Sequence, residues 1–361
     1  MAANNYKKPT VFDIARRMGV SHTAVSLALR DSPRVGAVRR ARIREIAREI
    51  GYYPRAAALA LRSHRTGCLG ILLEGAGEEL LAESGFSSPL LYYFLGQCRA
   101  RSLHEYVEFY QPSANGTFQP PRQLTGGVVD GMLVAGYVDA GLRPWLQGQD
   151  DRYPWVSLDE PGSLAVYSAT DEGVCQAVKC LVELGHRRIA YYGGPKRFTT
   201  HRLGFVGFRR AVRRFGLVVE WEQWITGFEV GAPEHAARQQ TQWAQEVLGQ
   251  SPRPTAIVFH GAPSGRNILM AAVGQGLSVP RDLSLVGVAL AIEAQRGPPF
   301  LSTIEADFGG MVGAALDLLL RRIEGKAPKK RVVRLMPRLV LRDTVAPAAT
   351  GPTGGYSNRV R

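Results

Sequence analysis

Ser21, His22, Thr23 and Ser26, followed by Arg30 and Arg34, are short hydroxyls, an imidazole and guanidinium groups. Their chemistry is directional hydrogen bonding rather than bond making. On a helix that starts after Ser21, the side chains of Ala24, Val25, Ala28 and Leu29 would face a core, and His22, Thr23 and Ser26 would project outward near its beginning. Groups of that length can reach the donors and acceptors of base edges if the helix lies in a major groove. Leu27 can form no bidentate bond to guanine; it can meet a thymine methyl or pack against a neighbouring helix. Thr10, Ser21, Arg30 and Arg34 suit phosphate oxygens, which position a protein on a duplex without reading it.

The elements that must hold these side chains are three short helices. Thr10, with Asp13 three places on, predicts a helix start at Val11, the carboxylate suiting the positive helix end. Ile14, Ala15 and Met18 recur at helical spacing, Gly19 permits a left-handed turn and Val20 points back inward, which makes a helix-turn-helix corner. Ile43, Ile46, Ala47 and Ile50 form the apolar face of a third helix that ends at Gly51. Charge separates this segment from an ordinary interaction module. Residues 1–66 hold fourteen Lys or Arg against four acids, so they carry +10 of the chain's +14. A basic excess confined to one small domain is the footprint expected for a phosphate backbone, where each neutralised phosphate releases counterions.

The run DIARRMGVSHTAVSLAL, then SPRV, then IGYYPRAAALALRSHRTGCLGIL, resembles the amino-terminal signature of the lactose-repressor (LacI/GalR) family of bacterial transcription regulators. The resemblance implies that the second helix reads the major groove of a double-stranded operator. It also implies that residues 55–62 form a hinge helix on that DNA, with Arg55 and Ala58 at the duplex and Leu61 wedged into the minor groove. Such a wedge unstacks a base step and bends the duplex, so deformability adds to sequence readout. Many relatives carry a polar residue where this chain has Leu27, so its operator is expected to differ from the usual one. Palindromic readout by twofold-related heads, and a hinge wedge that needs a partner, imply a homodimer.

The remaining 295 residues are long enough for more than one core, and 45% apolar residues with 9% aromatics fit a globular protein. No apolar run is long enough for a membrane span and the start MAANNYKKPT lacks a signal-peptide core, so a cytoplasmic, nucleoid-associated location and no membrane partner are expected. Cys68, Cys98, Cys175 and Cys180 show no metal-ligand spacing, and reduced thiols with no metal and no cofactor are expected. From Cys68 onward strand and helix patterns alternate, as in a doubly wound α/β unit, and a second unit restarts near Asp171. The reading is an all-α helix-turn-helix head (1–53), a hinge helix and linker (54–66), and an α/β core of two subdomains (67–345). The tail, 346–361, is rich in Pro, Gly and Thr and expected to be disordered.

The core resembles the periplasmic-binding-protein-like body that follows the head in the LacI/GalR family, through LVELGHRRIAYYGGP, PTAIVF, GLSVPRDLSLVGV and LDLLLRRIEGK. The resemblance implies three chain crossings, with subdomain one at about 67–160 plus 291–325 and subdomain two at about 161–290 plus 326–345. It also implies a small-molecule effector, carbohydrate-related in many relatives, in the cleft between them. Arg202 matches the family arginine of that cleft. Three acidic positions are altered: Ala169-Thr170 with Asp171 displaced, Gly261-Ala262 after His260, and Ala289-Leu290. A site without those acceptors loses its grip on sugar hydroxyls. His260, Phe86, Ser88, Tyr92 and Trp155 are the candidates for a less polar lining, beside Asp171 and Arg202. No P-loop, GxSxG elbow, HExxH or dinucleotide fingerprint is present, which leaves an enzyme unsupported. His186 sits at a helix end in a structural role. Two competing readings stay open: an effector-independent or architectural DNA binder with a degenerate cleft, and a solute-binding α/β protein with an incidental basic head.

Overall fold

The structure is a computed structural model and describes residues 9–52, 65–74, 86–110, 118–136, 141–217, 225–227, 233–295 and 297–348. The chain divides into two compact units, Met1–Thr66 and Gly67–Arg361.

The head is α1 (Val11–Met18), α2 (His22–Leu29) and α3 (Ala37–Glu49). Asp13 accepts from the Thr10 N–H (2.8 Å) and from the Thr10 hydroxyl (2.7 Å), so the cap pair closes on itself at the start of α1. Gly19 takes φ 63 at the end of α1, a conformation that costs a residue without Cβ nothing. Ile14, Ala15, Val25, Ala28, Val35, Ile43, Ile46 and Ala47 fill one core. Burying that face is what holds helices of 8, 8 and 13 residues, which are too short to persist alone.

In the second unit the elements run β1 (Cys68–Glu74), α4 (Ser87–Ala100), β2 (His104–Tyr110), α5 (Arg122–Thr125), β3 (Gly131–Ala135), α6 (Leu142–Gly148), β4 (Trp155–Leu158) and β5 (Ala165–Ser168). They continue as α7 (Thr170–Glu183), β6 (Ile189–Gly193), α8 (Thr199–Phe215), β7 (Ile225–Gly227), α9 (Pro233–Leu248), β8 (Ala256–His260), α10 (Ala262–Gly274), β9 (Ser284–Val288) and α11 (Ala291–Ala294). The chain ends in β10 (Ser302–Glu305), α12 (Phe308–Ile323), β11 (Val332–Leu335) and β12 (Arg338–Val340). Two six-stranded sheets result, in the orders β11-β5-β4-β3-β1-β2 and β12-β10-β9-β8-β6-β7. All pairings are parallel except β10 with β12, where Ile304 faces Leu339.

Parallel strands need cover on both faces, and the alternation along β1 supplies it. Leu69, Ile71 and Leu73 pack with α4 and α12 on one side, while Leu72 packs with Met132, Val134 and α6 on the other. The second sheet is cored by Tyr191, Phe208, Phe259, Ile257, Val258 and the apolar face of α7.

The sheets correct three of the expected subdomain boundaries. β5 belongs to the first sheet, so that lobe extends past residue 160 to 168. β10 belongs to the second sheet, so the return crossing lies after 305 rather than at 291. The run VVRLMPRLV is divided: β11 pairs with β5 in the first sheet and β12 with β10 in the second, so the last crossing is at 336–337 rather than 325. Strand periodicity says which residues alternate and nothing about which sheet receives them; Pro337, unable to donate to a ladder, marks the break. The tail is corrected too. Ala346 accepts from His186 (3.0 Å) and donates to Ser284 Oγ (3.1 Å), and Ala348 donates to the Leu184 carbonyl (2.8 Å), so order extends to residue 348. Residues 349–361 lie outside the described part.

Glycine positions give a direct check on the packing of α7 against α8. A Cβ at Gly207 would overlap the Asp171 backbone, whereas one at Gly96, on the surface of α4, would meet nothing. Gly207→Ala is expected to lower stability by roughly 2–3 kcal/mol and Gly96→Ala to leave it unchanged or raise it by up to about 1 kcal/mol, as read by denaturant unfolding. Equal behaviour of the two variants would contradict this helix pairing.

Candidate functional site

In the head, Ser21 Oγ accepts from the Ala24 N–H at 3.2 Å and fixes the start of α2. His22 and Thr23 follow on its first turn and are exposed. The His22 ring lies 5.3 Å from the ring of Phe12, an apolar side chain left 63% exposed at the start of α1. This contact brings the amino-terminal ends of α1 and α2 onto one face, where unpaired amides and helix dipoles favour phosphate oxygens. The sequence reading did not single out the Phe12–His22 pair, whose members lie ten positions apart on either side of the Gly19 turn.

Other head residues differ from expectation in detail. The Thr10 hydroxyl donates to Asp13, leaving only its acceptor lone pairs for another group. Arg30 donates to the Ser26 carbonyl (3.0 Å) and the Ser26 hydroxyl (3.2 Å), so the two residues are tied at the end of α2. Leu27 is half-buried against the head core. Arg34 is exposed on the turn after α2. That turn is held by Arg40, which donates to the Ser32 and Val35 carbonyls (3.0 and 2.9 Å), and by Arg44, which pairs with Asp31 in left-handed backbone (φ 59). Arg55, Ala58 and Leu61 lie outside the described residues.

In the core, the carboxyl ends of the strands bring together Asp159 and Glu160 after β4, His260 at the end of β8, and Thr199 and His201 at the start of α8. Ligand clefts of α/β folds lie at such strand ends. Glu160 is buried, yet belongs to the first lobe, and it reaches the second. Its carboxylate accepts from the Thr199 N–H (3.0 Å), the Thr199 hydroxyl (2.9 Å) and the Arg143 guanidinium (3.0 Å). His201 and His260 face each other with ring centroids 4.6 Å apart, and His260 meets the ring of Tyr191 edge-on. Gly204 leaves room for this cluster, because a Cβ there would overlap both His260 and the Tyr191 hydroxyl. Burial lowers the pKa of His201 to about 4 and that of His260 well below its ordinary value, so both rings are neutral at pH 7. Burial pushes Asp159 up to about 7, against the lowering effect of its hydrogen bond from the Ser168 N–H (2.7 Å).

Of the residues expected to line the cleft, His260 is there, and Arg202 reaches it through Thr199. Arg202 is exposed and turns back on its own loop, donating to the carbonyls of Lys196 and Arg197 (both 2.7 Å) and to Thr199 Oγ1 (2.5 Å). Asp171 is buried and engaged by Arg334 and by Arg210 (3.8 Å), a structural pairing that crosses from α7 to β11. Trp155 packs in the core on the outer face of the first sheet. Tyr92 is 72% exposed on α4. Phe86 precedes α4 and packs edge-on against Phe308 (5.8 Å), with Ser88 half-buried in the first turn. Asp159, Glu160, Thr199 and Arg143 were missed, although DE directly after the strand YPWVSL was a visible signal. His186, by contrast, has the structural role expected, its ring nitrogens 2.9 Å from Thr255 Oγ1 and 3.0 Å from the Ala346 carbonyl.

A basic helix-turn-helix head joined to a body of two parallel-sheet lobes with a cleft at their strand ends defines a class, that of DNA-binding proteins built on a ligand-binding scaffold. Residues 10–55 match the model of bacterial regulatory proteins of the lacI family, and residues 178–345 match that of the periplasmic binding protein-like domain. It is similar to the HTH-type transcriptional repressor PurR of Erwinia tasmaniensis, with 28% identity over 362 residues, 96% of this chain and 99% of that protein. PurR of Pectobacterium atrosepticum is 27% identical over the same shares of the two chains. In fold it is similar to the lac repressor dimer bound to operator and the anti-inducer ONPF (TM-score 0.78, 22% identity, 94% of this chain and 100% of that one). It is also similar to the CelR–cellobiose complex (TM-score 0.66, 22% identity, 93% and 99%).

The Asp159 environment has a measurable consequence. The folded protein keeps the Asp159 proton up to about pH 7, whereas the ordinary value is 3.8, so ionisation weakens the fold as pH rises through that window. His201 and His260 act oppositely, their stabilising effect being lost as pH falls below the ordinary imidazole range. Asp159→Asn keeps the acceptor for Ser168 and suits the left-handed backbone (φ 55), removing the first effect alone. Thermal scans are expected to show the variant gaining on the unaltered protein by roughly 2–4 kcal/mol between pH 4 and pH 8. A difference that does not change with pH would contradict the burial of an acid here.

Proposed function

We propose that this chain is a sequence-specific DNA-binding transcriptional regulator that acts as a repressor, binding a pseudo-palindromic operator as a homodimer. The observation that carries the reading is the face shared by the starts of α1 and α2, where Ser21, His22 and Thr23 stand exposed on a head that holds +10 of the chain's charge. His22, Thr23 and Ser26 read base edges; Thr10, Ser21, Arg30 and Arg34 meet phosphates. Leu27, with its half-buried side chain, offers at most its edge to a thymine methyl. Arg55 and Ala58 approach the duplex, and Leu61 from a paired hinge enters its minor groove.

The relatives named as transcriptional repressors, and the solved complexes with operator and with cellobiose, support a regulator whose core takes a small molecule. Exposed apolar side chains on α4 (Tyr92, Tyr93) and α10 (Met270, Val273) support a dimer. No described helix is long and apolar enough to cross a membrane, and the protein works in the cytoplasm beside the nucleoid, without catalysing a reaction. A second reading, effector-independent DNA binding, is favoured by the engagement of Asp171 in ion pairs and by Ala169, Ala262 and Ala289, which offer no side-chain acceptors.

Selection of bound sequences from a random duplex pool is expected to enrich a palindrome. His22→Ala or Ser26→Ala should lower affinity for the selected site by roughly 1–2 kcal/mol and leave binding to scrambled duplex unchanged. Arg34→Ala should weaken both and reduce the salt dependence by about one phosphate contact. Enrichment of no palindrome would overturn the specific reading.

A further inference from the structure

We propose that Glu160 is a tethered ligand of the cleft: its carboxylate clasps the two lobes from the first to the second, in a seat shaped for a carboxylate-bearing small molecule that would displace it. This deepens the effector-regulated reading above and rests on it. The seat is built from both lobes. Arg143 on α6 of the first lobe donates to one oxygen at 3.0 Å, and Thr199 at the start of α8 of the second donates its N–H to the other and its hydroxyl to the first, at 3.0 and 2.9 Å.

Three features make the seat specific for a carboxylate. α8 is a 17-residue helix, and its first turn presents an amide and a partial positive charge to the anion. Arg202 donates to Thr199 Oγ1, which directs the threonine proton onto Glu160, so a second guanidinium supports the anion through the threonine while Arg143 meets it directly. The Glu160 side chain is 3% exposed, and a carboxylate withdrawn that far from water persists only where donors replace its hydration. Donors from one lobe alone do not complete the set. Losing the anion therefore leaves Arg143 and the start of α8 without a partner, and the lobes without this tie. An incoming molecule with its own carboxylate satisfies the same donors while freeing Glu160, and with it the lobe from which Glu160 projects.

Chemical rescue on the full chain tests the seat without reference to DNA. Glu160→Ala is expected to lower Tm by several degrees and to increase the radius of gyration measured by small-angle scattering. Added acetate should restore both saturably, with chloride at equal ionic strength as the control, and the unaltered protein, whose own carboxylate fills the seat, should respond to acetate only at far higher concentration and to chloride not at all. Glu160→Gln, which keeps the shape and fills the seat with an amide, serves if the alanine variant fails to fold; it should be destabilised without acetate rescue. A Glu160→Ala protein as compact and stable as the original, or one on which acetate acts no differently from chloride, overturns the proposal. So does acetate rescue of Glu160→Gln equal to that expected for the alanine variant. Failure of the operator selection would instead remove the regulator reading and leave this result standing.

Discussion

A carboxylate taken out of water must be answered by something else, and four of them are buried among the described residues: Asp159, Glu160, Asp171 and Glu305. All four stand at ends of strands or at crossings between the lobes. Glu160 is answered by Arg143 and Thr199, Asp171 by Arg334 and Arg210, and Glu305 by Arg342, Arg338 (3.5 Å) and the Thr303 hydroxyl (2.8 Å). Asp159 has one backbone donor, and so it keeps its proton close to neutrality instead. The sheets themselves are apolar and self-sufficient; of these charges, Glu160 through Thr199 and Asp171 through Arg334 tie one lobe to the other. Such pairs contribute little net stability compared with apolar packing, and breaking one side is costly because the other is left buried and alone. They specify an arrangement more than they strengthen it.

The head shows what local sequence can dictate. Ser21 caps α2, Gly19 turns the chain, and Ile14, Val25, Ala28, Ile43 and Ile46 are buried, all as their spacing requires, because capping and helical periodicity act over a few residues. The alternation of strands and helices in the core was legible for the same reason. Sheet membership was not. Ala165–Ser168 and Val332–Leu335 have strand patterns that fit either lobe, and the pairing of β5 with β11 is a contact across more than 160 residues of chain.

Site residues divide along the same line. Residue type and helix position sufficed to place Ser21, His22 and Thr23 at the exposed start of α2, since an exposed first turn leaves few directions for a short side chain. Long side chains were harder. Arg202 and Trp155 have the chemistry a cleft would use, but one turns back on its own loop and the other is packed on the far face of its sheet. Leu27 sits on an amphipathic boundary, where a half-buried position can serve core or surface. Glu160 stands in a visible DE pair after its strand, but its partner at the start of α8 lies 39 residues on, a contact no local pattern encodes.

The three crossings have a mechanical consequence. Only Ala169 separates β5 from α7, only Ala306 and Asp307 separate β10 from α12, and only Met336 and Pro337 separate β11 from β12. Straps of one or two residues reach no more than roughly 7–10 Å even when pulled straight. They also meet: the Ala169 N–H donates to the Leu335 carbonyl at 2.8 Å, and a side chain at Gly173 would strike both Pro337 and Ile304. Three taut tethers gathered at one place forbid translation and leave a single pivot, so the lobes can swing like the covers of a book about its spine but cannot slide past one another.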